Sequence, residues 1–441
     1  MEKLFEQIEA MLLPIASRMA SNKYLNAVKD GFIFAIPFVM ISSFLLLLLN
    51  LPFTDKETVF YIEWYANFVK NYRILLMQPY HVGMGIMSIF VAFGIGYSLA
   101  NSHGLVGIRG GFLSLFAFLI ISAKQSTVPL AESVAGRFFV EAESRIQILD
   151  ARFLGSMGLF AAILSSIVAV EIMRFMINKK MVITLPEAVP EGVAKSFQSL
   201  TPVLAVVIIF HGLNLIINNT LSILTPQLIQ KIFEPLLHIS DSLPAMLLYV
   251  ILAHLLWFCG IHGGVLGPIA TTIALSNLAL NQTAFQSGEA ITKIWAGDFL
   301  NSFVHIGGIG STLGLAIAMV LSKNEQIKSI GKLSIVPGIF NINEPILFGT
   351  PIIMNPMLAI PFITVPILST VIAYSLAKFN IIAKVVTLVP WTTPAPISVF
   401  LATNFNLPAL IVNLLLIFMS FLIYTPFLKM YEKSLNNNGN K

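Results

Sequence analysis

Residues 31–50, GFIFAIPFVMISSFLLLLLN, carry no charged side chain, and a run of about 20 apolar residues is what an α-helix needs to cross the hydrocarbon core of a bilayer. Residues 407–427, LPALIVNLLLIFMSFLIYTPF, repeat the pattern near the other end of the 441-residue chain. Between these runs the character hardly changes: 56% of residues are hydrophobic, 11% are charged and the mean hydropathy is +0.85. A soluble domain carries about 25% charged residues, so this chain has too little charge to cover a surface in water. Lipid is its solvent for most of its length. Backbone groups in lipid close their hydrogen bonds within helices or closed barrels, and runs of this length select helices. The expected fold class is an all-α polytopic membrane protein.

Apolar runs place about ten transmembrane helices, near 31–51, 74–100, 106–123, 153–176, 201–221, 242–260, 262–280, 303–322, 357–378 and 407–428. Residues 1–30, with Lys3, Arg18, Lys23 and Lys29 among apolar residues at helical spacing, read as an amphipathic interfacial segment. Both termini on the cytoplasmic side put most Lys and Arg inside, including Lys179, Lys180, Lys323, Lys328, Lys429 and Lys433. The net charge of +5 follows from that retention, with no separate basic domain to bind nucleic acid. The expected location is a cell inner or plasma membrane, with 429–441 as a cytoplasmic tail.

Two apolar stretches are broken. Residues 333–356, LSIVPGIFNINEPILFGTPIIMNP, contain Pro337, Pro345, Pro351 and Pro356, and residues 385–405 contain Pro390, Pro394 and Pro396. Each proline removes a backbone donor and strains the preceding turn. Irregular backbone at membrane depth survives inside protein or along a polar cavity, so two re-entrant hairpins are expected in the carboxy-terminal part. This divides the chain into an amino-terminal transmembrane part, 31–199, and a substrate-binding and translocating part, 200–428.

Glu344 is the only Asp, Glu, Lys, Arg or His between Leu333 and Leu376, in the run Asn341-Ile342-Asn343-Glu344-Pro345. An acid at membrane depth needs donors, water or a substrate, and the flanking amides both donate and accept, as sugar hydroxyls require. His262 sits among glycines in Trp257-Phe258-Cys259-Gly260-Ile261-His262-Gly263-Gly264, where Trp257 offers a flat face to a sugar ring. Trp391, beside Thr392 in PWTTPAP, pairs an aromatic face with a broken segment again. His81 and His211 are further candidates for a polar cavity, whereas the other histidines suit packing roles. The single cysteine, Cys259, rules out a disulfide within the chain. Phosphate-loop, dinucleotide-binding and zinc-protease spacings are all missing, so no cofactor or metal is expected.

WFCGIHGG at 257–264, NINEP at 341–345 and PWTTPAP at 390–396 closely resemble component IIC, the membrane subunit, of the lactose/cellobiose/diacetylchitobiose branch of the phosphoenolpyruvate-dependent sugar phosphotransferase system. The resemblance covers nearly the whole chain. It implies a homodimer, with 31–199 as the dimer scaffold, that carries a β-linked disaccharide inward by alternating access. It also implies 6-phosphorylation by a separate cytosolic IIB protein bearing phosphocysteine, which a IIA protein recharges. Glu344 and His262 then serve as the catalytic pair at the sugar hydroxyl, with Trp257, Trp391, Asn341, Asn343 and Thr392 as sugar contacts. The competing reading is an ion-coupled secondary sugar transporter using Glu344, and a simple channel is a third. If Trp391 is a platform for a second ring, Trp391→Ala weakens disaccharide binding by about 1 to 3 kcal/mol. Monosaccharide binding falls less, and competition between matched mono- and disaccharides measures the difference; equal losses would assign Trp391 to general packing.

Overall fold

The computed structural model describes residues 14, 18, 21–54, 61–129, 145–186, 189–260, 266–350, 352 and 355–438. The amphipathic segment expected over 1–30 lies largely outside this set. The helices are α1 (Lys23–Leu48), α2 (Glu63–Leu76), α3 (Gln78–Gly83), α4 (Met87–Ser102), α5 (Gly107–Ser122), α6 (Leu159–Asn178), α7 (Glu191–Leu221), α8 (Thr225–Ser240) and α9 (Leu243–Phe258). They continue with α10 (Gly267–Ser287), α11 (Leu313–Val320), α12 (Glu325–Ile339), α13 (Glu344–Gly349), α14 (Pro356–Lys378), α15 (Ala395–Ala402) and α16 (Leu407–Asn438). Among the described residues, six helical stretches are long and apolar enough to cross a membrane: Lys23–Leu48, Glu63–Ser102, Ser156–Asn178, Gly192–Leu221, Met357–Lys378 and Leu407–Lys433.

Several expected spans are drawn differently. Residues 303–322 are not one helix: a π-helical turn at Leu300–Val304 gives way to a glycine-rich turn before α11 begins. Hydropathy reports depth and not backbone path: Gly307, Gly308 and Gly310 add no charge that would mark a break, yet adopt φ of +77°, +97° and +85°. The run at 74–100 is divided among α2, α3 and α4. α5 and α9 each have 16 residues, about 24 Å at 1.5 Å per residue and short of a full crossing. α16 continues past residue 428 without a break at the expected tail boundary.

The fold is that of an all-α polytopic membrane protein, with one short ribbon in a connection. Within the connection between α5 and α6, β1 (Gln125–Pro129) and β2 (Arg145–Leu149) pair antiparallel, with Gln125 opposite Leu149. Just beyond the ribbon, Arg152 bonds the Asp150 carboxylate at 2.6 Å and holds its pKa below the ordinary value.

The chain divides into two compact units: one holds Lys23–Phe38 and His81–Pro235, the other Met1–Asn22, Val39–Tyr80 and Leu236–Lys441. In the first, α4, α5 and α6 pack through small residues. A Cβ on Gly96 would lie 2.5 Å from the Gly110 carbonyl oxygen, and one on Gly110 would lie 2.4 Å from Ala100 Cβ. Ser166 Oγ donates to the Ala92 carbonyl at 3.0 Å, and Ser114 Oγ to the Ser166 carbonyl at 3.2 Å. Close backbone approach through small side chains is how helices associate when lipid removes the hydrophobic drive. One end of this unit is tied by Glu171, which accepts from Tyr24 Oη at 3.0 Å and meets His103 Nε2 at 3.0 Å and Arg174 Nε at 3.3 Å.

The second unit is centred on Phe258, Leu315, Met319, Phe362 and Tyr424, drawn from α9, α11, α14 and α16. Its glycine-rich turn is locked from several directions. A Cβ on Gly310 would sit 2.3 Å from the Phe362 ring, and the Gly310 carbonyl accepts from Tyr424 Oη at 2.7 Å. Gly310→Ala therefore incurs both the left-handed backbone penalty and overpacking, together about 2 to 5 kcal/mol. A lower melting temperature of the purified protein in detergent is the expected result; unchanged melting would mean that the Phe362 ring moves aside without cost.

Candidate functional site

The stretch that contains Glu344 folds as two helices around a tight break. Pro337 lies inside α12 instead of ending it, and the helix stops two residues later at Ile339. Asn341 then adopts φ +61°, a left-handed conformation that asparagine tolerates better than most residues. Pro345 occupies the first turn of α13, where its missing N–H has no partner to lose. Glu344 begins that helix, with its side chain exposed. Among the described residues it makes no hydrogen bond or ion pair.

The two asparagines before it point into protein. Asn341 Oδ1 accepts from the Gly307 amide at 2.9 Å, while Nδ2 donates to the carbonyls of Trp391 at 2.7 Å and Thr393 at 3.2 Å. Asn343 Nδ2 donates to the Ile309 carbonyl at 2.6 Å and to Thr312 Oγ1 at 2.9 Å. Thr312 Oγ1 in turn donates to the Gly307 carbonyl at 2.8 Å. Both asparagines, expected as sugar contacts, are buried here and bind backbone. An amide offers the donor and acceptor that a broken backbone lacks, and that demand is met before any ligand's.

Behind the glycine-rich turn stands His254 on α9. Its Nδ1 lies 2.6 Å from the Val250 carbonyl and its Nε2 accepts from the Gly310 amide at 3.1 Å. Those partners set a neutral Nδ1–H tautomer. His305 packs 5.5 Å from His254, ring centre to ring centre. Its Nδ1 faces Asn301 Oδ1 at 3.4 Å, and Asn301 Nδ2 donates to Asp298 Oδ1 at 2.6 Å. His305 Nε2 and Asp298 Oδ2 are buried without a partner among the described residues.

Trp391 is 55% exposed, and Thr392 beside it is half-buried. The loop that carries them is joined to the Glu344 segment through Asn341. Trp257 lies half-buried near the end of α9, against the core of the same unit. His262 falls outside the described residues. His81 and His211 are exposed side chains of the other compact unit. Cys259 is buried and takes part in no disulfide, consistent with a small core residue.

Sequence reasoning assigned His254 and His305 to packing and passed over Asp298, Asn301 and Thr312. One signal was available: His305 directly precedes Ile306-Gly307-Gly308, and glycine-rich turns leave backbone groups for neighbouring side chains to satisfy. The other partners come from distant segments and carry no local pattern.

The family model described as phosphotransferase system, EIIC matches residues 29–366. The chain is 35% identical over 438 residues to the lichenan permease IIC component of Bacillus subtilis (strain 168), covering 98% of this chain and 94% of that protein. It is 34% identical over 440 residues to the cellobiose-specific EIIC component of Geobacillus stearothermophilus, covering 98% and 95%. Among solved structures, the transporter ChbC, the IIC component from an N,N'-diacetylchitobiose-specific phosphotransferase system, superposes with a TM-score of 0.86 at 35% identity, covering 97% of this chain and 98% of that one.

Asn343→Leu removes the donor that Ile309 and Thr312 share and leaves buried acceptors unmatched, at about 1 to 3 kcal/mol. Asn343→Asp should behave alike, because a carboxylate has no hydrogen to donate. Thermal unfolding in detergent measures both, and parental stability in either variant would remove the amide from any bracing role.

Proposed function

The chain belongs to the EIIC family of the sugar phosphotransferase system, and from that membership we propose that this permease component carries a neutral β-linked disaccharide inward with coupled phosphorylation at a 6-hydroxyl. The observation that carries the reading is the exposed Glu344, without a hydrogen bond or ion pair among the described residues, on a segment braced by Asn341 to the loop bearing exposed Trp391. An acid with free lone pairs accepts a hydroxyl hydrogen, and an aromatic face stacks on a sugar ring. Relatives named for lichenan, cellobiose and diacetylchitobiose support a β-linked substrate, with cellobiose and diacetylchitobiose types ahead of lactose.

In this mechanism the phosphoryl group moves from the phosphocysteine of a IIB protein to the sugar. The S–P bond breaks, a P–O bond forms at the 6-hydroxyl, and the hydroxyl proton passes to Glu344 or His262. The leaving group is the cysteine thiolate, which stays on IIB and is recharged through IIA. The product gains charge, and the cost of desolvating that charge opposes its return across the bilayer. Trp257, Trp391 and Thr392 would contact the sugar, and His81 and His211 stand as further candidate sugar contacts. Residues 31–199 would form the scaffold of a homodimer and 200–428 the translocating part, with re-entrant segments at 333–356 and 385–405. Both termini would face the cytoplasm.

Membrane vesicles supplied with cellobiose and phosphorylated IIB should accumulate sugar phosphate even after ion gradients are dissipated. Accumulation of unmodified sugar that collapses with the gradient would establish the ion-coupled alternative. Glu344→Gln keeps the size and one acceptor but loses the negative charge. The expected result is weaker binding and a larger fall in phosphorylation, and normal turnover at saturating sugar would remove Glu344 from proton transfer.

A further inference from the structure

The loop that carries Trp391 is poorly held by its own backbone. It runs from Pro390 to Pro394, and neither proline has an N–H to donate. Within it, Thr393 donates to the Pro390 carbonyl at 2.9 Å. The indole is 55% exposed, so packing alone does not define where its face lies. The carbonyls of Trp391 and Thr393, two residues apart, both accept from one atom, Asn341 Nδ2, at 2.7 and 3.2 Å. The same amide is anchored behind by the Gly307 N–H at 2.9 Å, and its residue is buried. Asn341 stands three positions before Glu344, on the short connection between α12 and α13.

We propose that Asn341 is a positioning residue that sets the Trp391 platform relative to Glu344, and so determines the preference for two linked rings over one. This rests on the reading of Trp391 as a sugar platform. One amide joins the segment of the acid to the loop of the aromatic face. Releasing it leaves Glu344 on α13 but frees the 390–394 loop. The ring next to the acid keeps its contacts, and the farther ring loses a fixed surface to stack on. The left-handed backbone at Asn341, φ +61°, favours glycine, asparagine and aspartate in this place. Of these, only asparagine presents a donor to the two carbonyls and an acceptor to Gly307 together.

The experiment uses the full chain in lipid nanodiscs, with cellobiose and methyl β-glucoside as the matched pair of probes. Asn341→Asp keeps the acceptor for Gly307 and loses the donor; Asn341→Gly loses both. Each variant should bind the disaccharide roughly 5- to 10-fold more weakly, as loss of a hydrogen-bonded restraint implies, and the monosaccharide within about 2-fold of the parent. In a Trp391→Ala background, Asn341→Gly should bring no further loss of disaccharide preference, because a residue acting through Trp391 has nothing left to act on. Amide hydrogen exchange at Trp391, Thr392 and Thr393 should be faster in Asn341→Asp, a readout that a single folded variant suffices to give. Equal losses for both sugars, additive effects in the double variant, or unchanged exchange would each overturn the proposal. A parent that binds neither sugar would instead refute the functional reading on which it rests.

Discussion

Backbone that leaves the helix inside an apolar unit must find its hydrogen-bond partners in side chains, and this requirement organises the carboxy-terminal half of the molecule. The turn between Val304 and Leu313 contains three glycines with positive φ and supplies almost no helical ladder of its own. Its free groups are met one by one. His254 accepts from Gly310 N, Asn341 from Gly307 N, Thr312 donates to Gly307 O, Ser420 to Ser311 O at 2.6 Å and Tyr424 to Gly310 O. An unmet buried group costs several kcal/mol where water is excluded, so these side chains are as much part of the fold as the apolar core beside them.

The other compact unit solves its packing by a different route. Its helices α4, α5 and α6 keep regular hydrogen bonding and approach closely through glycine, alanine and serine, with Ser114 and Ser166 bonding helix carbonyls. Regular helices there need no outside donors. The contrast is chemical: a continuous helix hides its polar backbone, whereas a broken one exposes it and gathers polar side chains around the break. Such a gathering is also where an acid such as Glu344 stands next to fixed amides, so the physical demands of a broken helix and of a polar ligand fall on the same residues.

Proline and glycine had opposite consequences for legibility. Residues 333–356 read as broken because of their prolines, but the break falls at 340–343, where Asn341 reverses the backbone, while Pro337 stays within α12 and Pro345 opens α13. Residues 303–322 read as a continuous span because apolar residues surround glycines that carry no charge to mark a break, yet three glycines turn the chain there. The acid, the tryptophans and the asparagines were all visible as chemistry. Their division of labour was not: Glu344 and Trp391 face outward, and the amides of Asn341 and Asn343 turn inward to backbone groups more than 30 residues away in the chain.

Composition and local pattern by themselves determined the solvent, the helical class, the broken character of the carboxy-terminal part and the few polar residues set in it, because each follows from the transfer of side chains and peptide groups out of water. The motifs WFCGIHGG, NINEP and PWTTPAP were sufficient for the family. Tertiary structure alone decided that a glycine-rich turn breaks 303–322, that a β-ribbon lies in the connection between α5 and α6, and that His254 and Asn341 close the turn while Glu344 has no hydrogen bond or ion pair among the described residues. Those outcomes depend on which distant carbonyl or amide comes within about 3 Å of a given side chain, a quantity that folding creates and no local run of residues contains.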